Sequence, residues 1–272
     1  MQQINYSLDD LLYLMQRLRD PQTGCPWDIA QDFSSIVPHT LEEAYEVADA
    51  IEREDLAGLP GELGDLLFQV VYYCQMAAEQ ELFDFSAVVA GCVDKLVRRH
   101  PHVFPDGQLR ARATATTMSQ QQLDQQWQQI KQQEQPPQQL SLLDGVPLAM
   151  PALTRSVKIQ KKAARVGFDW PDSAGVFTKL QEEIGELQSA MADGQAAAIE
   201  HELGDVLFTV TNLARKLQID PEQALRQCNQ RFYQRFNHIE QQLLQQKKNI
   251  EDCSLEQLDQ LWGQAKQHLQ QD

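Results

Sequence analysis

The sequence has no excess of positive charge and no long hydrophobic run. Among its 272 residues, 23 lysines and arginines face 39 aspartates and glutamates, which leaves a formal net charge of −16. Binding to nucleic acid needs a basic surface that displaces counterions from phosphates. A membrane-spanning helix needs about 20 consecutive apolar residues, and no run approaches that length. We therefore expect neither a nucleic acid nor a membrane as a partner.

Paired cysteines, secretory features and glycine-rich phosphate loops are also missing. The five cysteines form no Cys-x-x-Cys motif and leave an odd number, which favours free thiols in a reducing cytoplasm over disulfides. The first 20 residues have the pattern of an amphipathic helix with an acid pair, unlike a secretory signal. Without a P-loop or a GxGxxG motif, a nucleotide has to be held by metal ions and side chains.

The sequence contains one long internal repeat. Residues 42–76 align without a gap with residues 182–216 at an offset of 140, and 12 of the 35 pairs are identical. The match continues, with small slips in the offset, as far as LDQQWQQIK (123–131) and LDQLWGQAK (258–266). A unit of about 130 residues is too long for a solenoid repeat, so the repeat predicts two tandem domains.

The predicted boundary between the domains lies in a segment rich in glutamine and proline. We assign residues 1–135 to the first domain, 136–147 to a linker and 148–272 to the second domain. Apolar residues recur at helical spacing in both halves, and no convincing two-residue alternation occurs, so the predicted fold class is all-α, with two helical bundles. Helices are expected near residues 7–19, 39–55, 62–80, 86–99, 119–132, 151–164, 174–192, 197–217, 221–245 and 254–270.

Five acidic residues recur in both copies at the same spacing. The set is Glu42, Glu43, Glu46, Glu62 and Asp65 in the first copy, and Glu182, Glu183, Glu186, Glu202 and Asp205 in the second. Like charges at helical spacing destabilise a helix by about 0.2–0.5 kcal/mol per pair. Two such helices packed together would be stable with a cation between their carboxylates. Oxygen-only ligands fit Mg²⁺ as the cofactor, with Mn²⁺ as the alternative.

Two simpler interpretations of these acids stay open. The acids can form a solvated helix face, or Glu62 and Asp65 can be first-turn acids that the helix dipole stabilises. The second copy argues against the dipole, because helical sequence begins well before Glu202. Gly64 and Gly204 lie inside these helices, where glycine costs about 1 kcal/mol relative to alanine. Their presence in both copies predicts the close approach of another helix or of a ligand.

The ligand types narrow the chemistry of the predicted metal site. A di-iron carboxylate bundle would show Glu-x-x-His, and none of the six histidines follows a glutamate by three residues. A zinc hydrolase would show histidine or cysteine ligands at short spacing, and these are missing too. An all-carboxylate Mg²⁺ or Mn²⁺ site therefore indicates phosphoryl or nucleotidyl chemistry.

Cations and tryptophans at helical spacing are candidate contacts for a nucleotide. They can bind phosphates and stack on a base, whereas the alternatives are core tryptophans and a solvated basic face. The candidates are Lys158, Arg231, Arg235, Trp262 and Lys266 in the second copy, and Lys95, Arg99 and Lys131 in the first.

The acidic motifs resemble those of the all-α nucleoside triphosphate pyrophosphohydrolases. The pattern is EExxE (42–46 and 182–186), followed sixteen residues on by ExxD (62–65 and 202–205). Further sequence segments resemble the bacterial tandem-repeat MazG family, and the resemblance extends over nearly the whole chain. These segments are GCPWD, HTLEEAYEV, GELGDLLFQVV, RRHPHVF, KIQK and VGFDW. The resemblance implies Mg²⁺-dependent hydrolysis of NTPs and dNTPs, ATP among them, at the α–β bond to give a monophosphate and pyrophosphate. It also implies a homodimer or a higher homo-oligomer.

The resemblance further implies roles for single residues. The metal ligands would be Glu183, Glu186, Glu202 and Asp205, and Glu182 would be a base or an outer ligand. The equivalent acids of the first copy would form a second site, a scaffold or a regulator. We favour the second copy as the active one, because lysines cluster before it.

Two other classes of protein are compatible with the sequence. One is a non-catalytic regulatory protein that binds Mg²⁺ and nucleotide on the same bundle. The other is a Gln-rich helical interaction protein whose acids lie only on the surface. The nearest enzyme alternative is a dUTP or phosphoribosyl-ATP pyrophosphohydrolase.

Overall fold

The computed structural model describes residues 5–110, 118–134 and 141–268. The chain divides into two compact units, residues 1–135 and 136–272. In the described ranges, all regular secondary structure is helical and no β-strand occurs, which confirms the predicted all-α class. Within the same ranges, no helix is both long and apolar enough to cross a membrane.

Within the described ranges, six helices belong to the first unit and five to the second. The first six are α1 (Leu8–Leu18), α2 (Pro26–Ile29), α3 (Phe33–Glu52), α4 (Leu59–Glu79), α5 (Phe85–Arg99) and α6 (Gln120–Gln133). The other five are α7 (Ala152–Ala164), α8 (Ser173–Asp193), α9 (Ala196–Lys216), α10 (Pro221–Gln245) and α11 (Leu255–His268), with a 3₁₀ turn at Ile250–Asp252 before the last. The expected helices are present, and the last two residues of the expected helix 254–270 lie outside the described part.

Helix α3 begins before the point that the sequence predicted. The expected start was residue 39, directly after Pro38, but that proline lies inside the helix. The helix starts at Phe33 because the Asp32 side chain accepts hydrogen bonds from the backbone N–H groups of Ser34 and Ser35, both at 2.8 Å. This cap satisfies donors that a free helix end would leave exposed.

The core of the first unit lies where α1 and α3 pack on α4. Its fully buried side chains are Met15, Ile36, Val71, Tyr72 and Met76. Helices α3 and α4 form a hairpin that places the EExxE residues on the first helix and the ExxD residues on the second.

The second unit repeats the hairpin with α8 and α9, but its core is more polar. The hairpin turns at Gly194, which has a φ of 71° and ends α8 in the left-handed conformation. Buried Gln160 on α7 donates to the Phe208 carbonyl at 2.9 Å, and Ser156 contacts Thr211 at 2.5 Å. Polar hydrogen bonds therefore join α7 to α9 at a place where the first unit has an apolar valine.

Part of the predicted linker, residues 141–147, is described by the structure and packs within the second unit. Residues 136–140 of the predicted linker lie outside the described residues. In the remaining part, Val146 is buried and the Lys162 ammonium group donates to the Asp144 carbonyl.

Candidate metal centres

Each hairpin brings three glutamates together. In the second unit, carboxylate oxygens of the three lie within 4.8 Å of one another, and the first unit has an equivalent group. We call these groups the second triad, formed by Glu183, Glu186 and Glu202, and the first triad, formed by Glu43, Glu46 and Glu62. Every donor is an oxygen atom, which is the ligand type that hard divalent cations bind.

The pKa values of three of these carboxylates are raised, first by burial and then by the negative charge of their neighbours. Burial raises the pKa of Glu186, and the neighbouring Glu183 raises it further. Burial also raises the pKa of Glu43 and of Glu62, and the charges of Glu46 and Asp65 add to both shifts. A divalent cation between the carboxylates would remove this repulsion, so the residues fit a metal ion.

The second triad is in contact with a cation from its own helix. The Lys179 Nζ lies 2.7 Å from Glu182 Oε1 and 2.9 Å from Glu183 Oε1. Hydrogen bonds to these two carboxylates raise the pKa of Lys179, so its ammonium group is charged at neutral pH. In the first unit the equivalent residue is His39, whose Nδ1 lies 3.8 Å from Glu42. The sequence analysis missed Lys179, although its spacing of three and four residues indicates such a pair.

We expect Lys179→Gln to tighten the binding of a divalent cation in the absence of nucleotide. The ammonium group and the metal ion compete for the carboxylate of Glu183, so its removal should lower the Kd by about three- to tenfold. Electron paramagnetic resonance of free Mn²⁺ during a titration measures this Kd. His39→Gln is the control and should leave the Kd unchanged. An unchanged or weaker affinity in Lys179→Gln would show that the lysine does not compete.

The other predicted acids lie outside the triads. The Asp205 Oδ2 is 3.4 Å from His201 Nε2, and Glu182 bonds to the lysine described above. In the first unit, Asp65 lies near enough to Glu62 to raise the pKa of that carboxyl. Each unit thus brings together three of the four predicted metal ligands.

Four aromatic and cationic side chains form a cluster on α10 and α11. The Arg235 guanidinium carbon lies 5.6 Å from the ring centroid of Trp262, and the Lys266 Nζ lies 5.9 Å from it. Phe232, which the sequence analysis did not name, packs on the same tryptophan with ring centroids 5.1 Å apart. Arg231 is exposed one turn before Arg235. Among the described residues, no ion pair links these cations to a carboxylate, and no hydrogen bond joins the cluster to the second triad.

The equivalent cluster of the first unit is neutralised by a carboxylate. The Arg99 guanidinium carbon lies 5.5 Å from the ring centroid of Trp127, but this arginine also bonds Glu134 at 2.5 Å. Arg98 bonds the same carboxylate at 2.7 Å, and hydrogen bonds from both arginines lower the pKa of Glu134 to about 2. Arg99 is therefore engaged in an ion pair, whereas its counterpart Arg235 is not paired within the described residues. Lys95 and Lys131, the other predicted cations of this copy, are exposed.

Lys158 lies away from the second triad. It lines a cavity together with Arg215, near the C-terminal end of α9. Arg215 lies thirteen positions after Glu202 on this helix, which corresponds to about 20 Å at 1.5 Å per residue. The structure therefore does not bring Lys158 to the glutamates of its own unit.

The glycines inside the acidic helices have no close neighbour among the described residues. A Cβ atom added at Gly64 or at Gly204 would meet nothing within 4 Å. Within the part of the chain that the structure describes, no other helix approaches these glycines closely, and the approach of a ligand stays a prediction.

Each of the two helical hairpins brings three carboxylates together. The chain is therefore a tandem all-α protein with candidate centres for divalent cations. This arrangement is typical of metal-dependent hydrolases of phosphate compounds. The MazG nucleotide pyrophosphohydrolase domain matches residues 31–104 and 174–240, and these segments contain both triads. The chain belongs to the MazG family, which confirms the resemblance that the motifs indicated.

Curated relatives match this chain over most of its length. The nucleoside triphosphate pyrophosphohydrolase of Escherichia coli (strain K12) is 46% identical over 262 residues, which cover 95% of this chain and 97% of the relative. The nucleoside triphosphate pyrophosphohydrolase/pyrophosphatase MazG of Thermotoga maritima is 36% identical over 266 residues and 98% of both chains. The uncharacterized protein YabN of Bacillus subtilis is 39% identical over 258 residues, which cover 93% of this chain and 50% of YabN.

Proposed function

We propose that this protein hydrolyses nucleoside triphosphates, both NTPs and dNTPs, at the α–β bond to give a nucleoside monophosphate and pyrophosphate. The observation that carries the proposal is the convergence of Glu183, Glu186 and Glu202 within a segment that matches the MazG domain. The relatives from Escherichia coli and Thermotoga maritima, which align with nearly the whole chain, are named for this activity.

The second triad would hold Mg²⁺, with Mn²⁺ as a substitute. Asp205 would join the three glutamates as a fourth ligand once its carboxylate leaves His201. When bound, the ion would lower the pKa of a water molecule and offset the charge of the triphosphate. Glu182 is exposed beside the triad and would accept a proton from the attacking water as the general base.

The aromatic and cationic cluster on α10 and α11 would bind the nucleotide. Arg231, Arg235 and Lys266 would donate to phosphate oxygens, and the Trp262 ring would stack on the base. The absence of a described carboxylate partner for Arg235 supports the second unit as the active copy. The ion pair of Arg99 with Glu134 argues for a regulatory or structural role of the first.

We further propose that the protein is a homodimer or a higher homo-oligomer. Helix α9, which carries Glu202, also exposes three apolar side chains, Leu203, Leu207 and Val210, which are 47%, 50% and 42% exposed. The residues at the same positions of the first unit, Leu63, Leu67 and Val70, are also exposed. Apolar side chains that recur on one helix face are typical of an interface with a second copy of the chain.

The state of the cysteines supports a reducing compartment, which we propose to be the cytoplasm. All five are free thiols: Cys25, Cys74, Cys92, Cys228 and Cys253. Two of them, Cys92 and Cys228, are exposed and would be oxidised in a compartment that forms disulfides.

Product analysis with each of the eight common NTPs and dNTPs tests the proposed reaction. With Mg²⁺ present, we expect anion-exchange chromatography to show monophosphate and pyrophosphate in equal amounts, and EDTA should abolish both products. Diphosphate and inorganic phosphate would indicate cleavage of a different bond. Nucleotide binding without turnover would contradict the enzyme and support the non-catalytic regulatory protein.

A further inference from the structure

The second unit contains a basic cavity at the C-terminal end of α9. Glu202 of the second triad lies near the opposite end of this helix. The cavity has a volume of about 370 Å³ and lies between α7, α9 and the start of α10. This volume is within the range of about 300–1,000 Å³ that small-molecule sites occupy. Its wall carries three cations, Lys158, Lys161 and Arg215, and one acid, Asp220. Asp220 caps α10, because its side chain accepts a hydrogen bond from the Gln223 N–H at 3.0 Å.

Arg215 has a hydrogen-bond donor without an acceptor. Its side chain is only 10% exposed, and its Nη2 donates to Asp169 and, at 3.1 Å, to Asn212. Its Nε is buried and has no partner among the described residues. Buried donors in folded proteins are almost always satisfied, so the described residues engage the guanidinium group of this cavity-lining arginine only in part.

The two lysines supply uncompensated charge at the same cavity. Lys158 and Lys161 are exposed, lie about one turn apart on α7, and form no ion pair with a described carboxylate. Of the nearby acids, Asp169 is shared by Arg215 and Lys216. A further acid, Glu222, accepts a hydrogen bond from the hydroxyl of Thr154, which lines the cavity. Positive charge is therefore concentrated here, in a chain whose net charge is −16.

The first unit has a cavity at the equivalent place but without these cations. It has a volume of about 210 Å³ and lies between α1, α4 and the start of α5. Gln75 lines it at the position that corresponds to Arg215, and its Nε2 donates to Glu79 at 2.9 Å. None of the described residues that line this cavity is a lysine or an arginine. The duplicated fold explains both cavities, but it does not explain three cations in only one of them.

We propose that the cavity of the second unit binds a small anion that carries a di- or triphosphate group. Arg215 adds its positive charge from the cavity wall, and Lys158 and Lys161 bind the outer oxygens of the ligand. The cavity lies about 20 Å along α9 from Glu202, so its ligand is distinct from a substrate at the triad of the same unit. This site goes beyond the proposed hydrolysis and does not depend on it.

Calorimetric titration of the full-length protein with pyrophosphate, and separately with ATP, tests this site. The buffer is freed of divalent cations, because triads without a metal ion repel anions. Lys158→Gln combined with Lys161→Gln should weaken binding by about tenfold or more, since two charges next to the ligand are lost. The control Gln75→Ala changes the equivalent cavity and should bind as the parent does. Arg231→Gln combined with Arg235→Gln removes the other phosphate-binding candidate, so it shows how much of the binding belongs to the proposed active site.

The outcomes separate this site from the proposed active site. Saturable binding that the lysine variant loses and Glu202→Gln keeps supports the proposal, whether or not the protein hydrolyses nucleotides. Tighter binding of pyrophosphate than of ATP identifies the ligand as a free diphosphate, and the reverse identifies it as a nucleotide. Absence of saturable binding by the parent, or binding that only the arginine variant loses, would overturn the proposal. Circular dichroism establishes that the variants are folded.

Discussion

Glu202→Gln is expected to lower the turnover of nucleoside triphosphates by about 10³-fold, as is typical when an essential charge in an active site is neutralised. An amide in place of the carboxylate removes one negative charge from a triad whose three oxygens lie within 4.8 Å of one another. The remaining glutamates would then bind a divalent cation more weakly. Steady-state release of pyrophosphate, measured at several Mg²⁺ concentrations, gives the loss of turnover and shows how far added metal restores it.

Glu62→Gln is the matched control, because Glu62 and Glu202 occupy the same position of the two copies. The first-unit variant should keep most of the activity if catalysis takes place at the second triad. Neither change should unfold the protein, since each removes a charge from an acidic cluster. Loss of turnover in Glu62→Gln alone would move the active site to the first unit. Loss in both variants would mean that the two triads act together.

Gly24→Ala is expected to lower the free energy of unfolding of the first unit by about 3 kcal/mol or more. A Cβ atom at this position would overlap the Leu18 carbonyl oxygen and would lie 2.6 Å from the carbonyl oxygen of Asp20. Backbone atoms in a turn cannot rotate away as a side chain can. The same turn contains hydrogen bonds of 2.8 Å from the Gly24 and Cys25 N–H groups.

The loss of this turn would disturb the buried contact that follows it. The turn leads into α2, where the Asp28 carbonyl accepts a hydrogen bond from the Tyr72 hydroxyl at 2.8 Å. Urea unfolding followed by circular dichroism measures the change in stability. Gly91→Ala is the control, because a Cβ atom there meets nothing within 4 Å and alanine favours a helix by about 1 kcal/mol. Equal stabilities of the two variants would show that the turn adapts to a side chain.

Helices were predictable from the sequence because their signals are local. Apolar spacing and capping residues lie within a few positions of one another, so the long helices were expected close to where they occur. The exceptions also have local reasons. Helix α2 has only four residues, too few for a periodic pattern, and α3 continues through Pro38, which is normally taken as a boundary.

The glutamate triads were partly predictable for the same reason. Glu183 and Glu186 are three residues apart, so any helix brings them to one face. Glu202 reaches them only because α8 and α9 pack as a hairpin, and the repetition of the motif in both copies indicated that packing beforehand. The contact of Lys179 with Glu183 could also have been predicted, because the two residues are four apart on one helix.

The acidic motifs, the duplication and the helices thus follow from the order of residues, because they depend on periodicity along one chain segment. Which carboxylates or cavities the lysines and arginines contact depends on tertiary packing. Arg99 pairs with Glu134, 35 residues away, whereas the equivalent Arg235 contacts Trp262 and has no carboxylate partner among the described residues. Lys158 faces a cavity with Arg215 instead of the second triad. Such contacts depend on how helices cross and where they end, and helical periodicity carries no information about either.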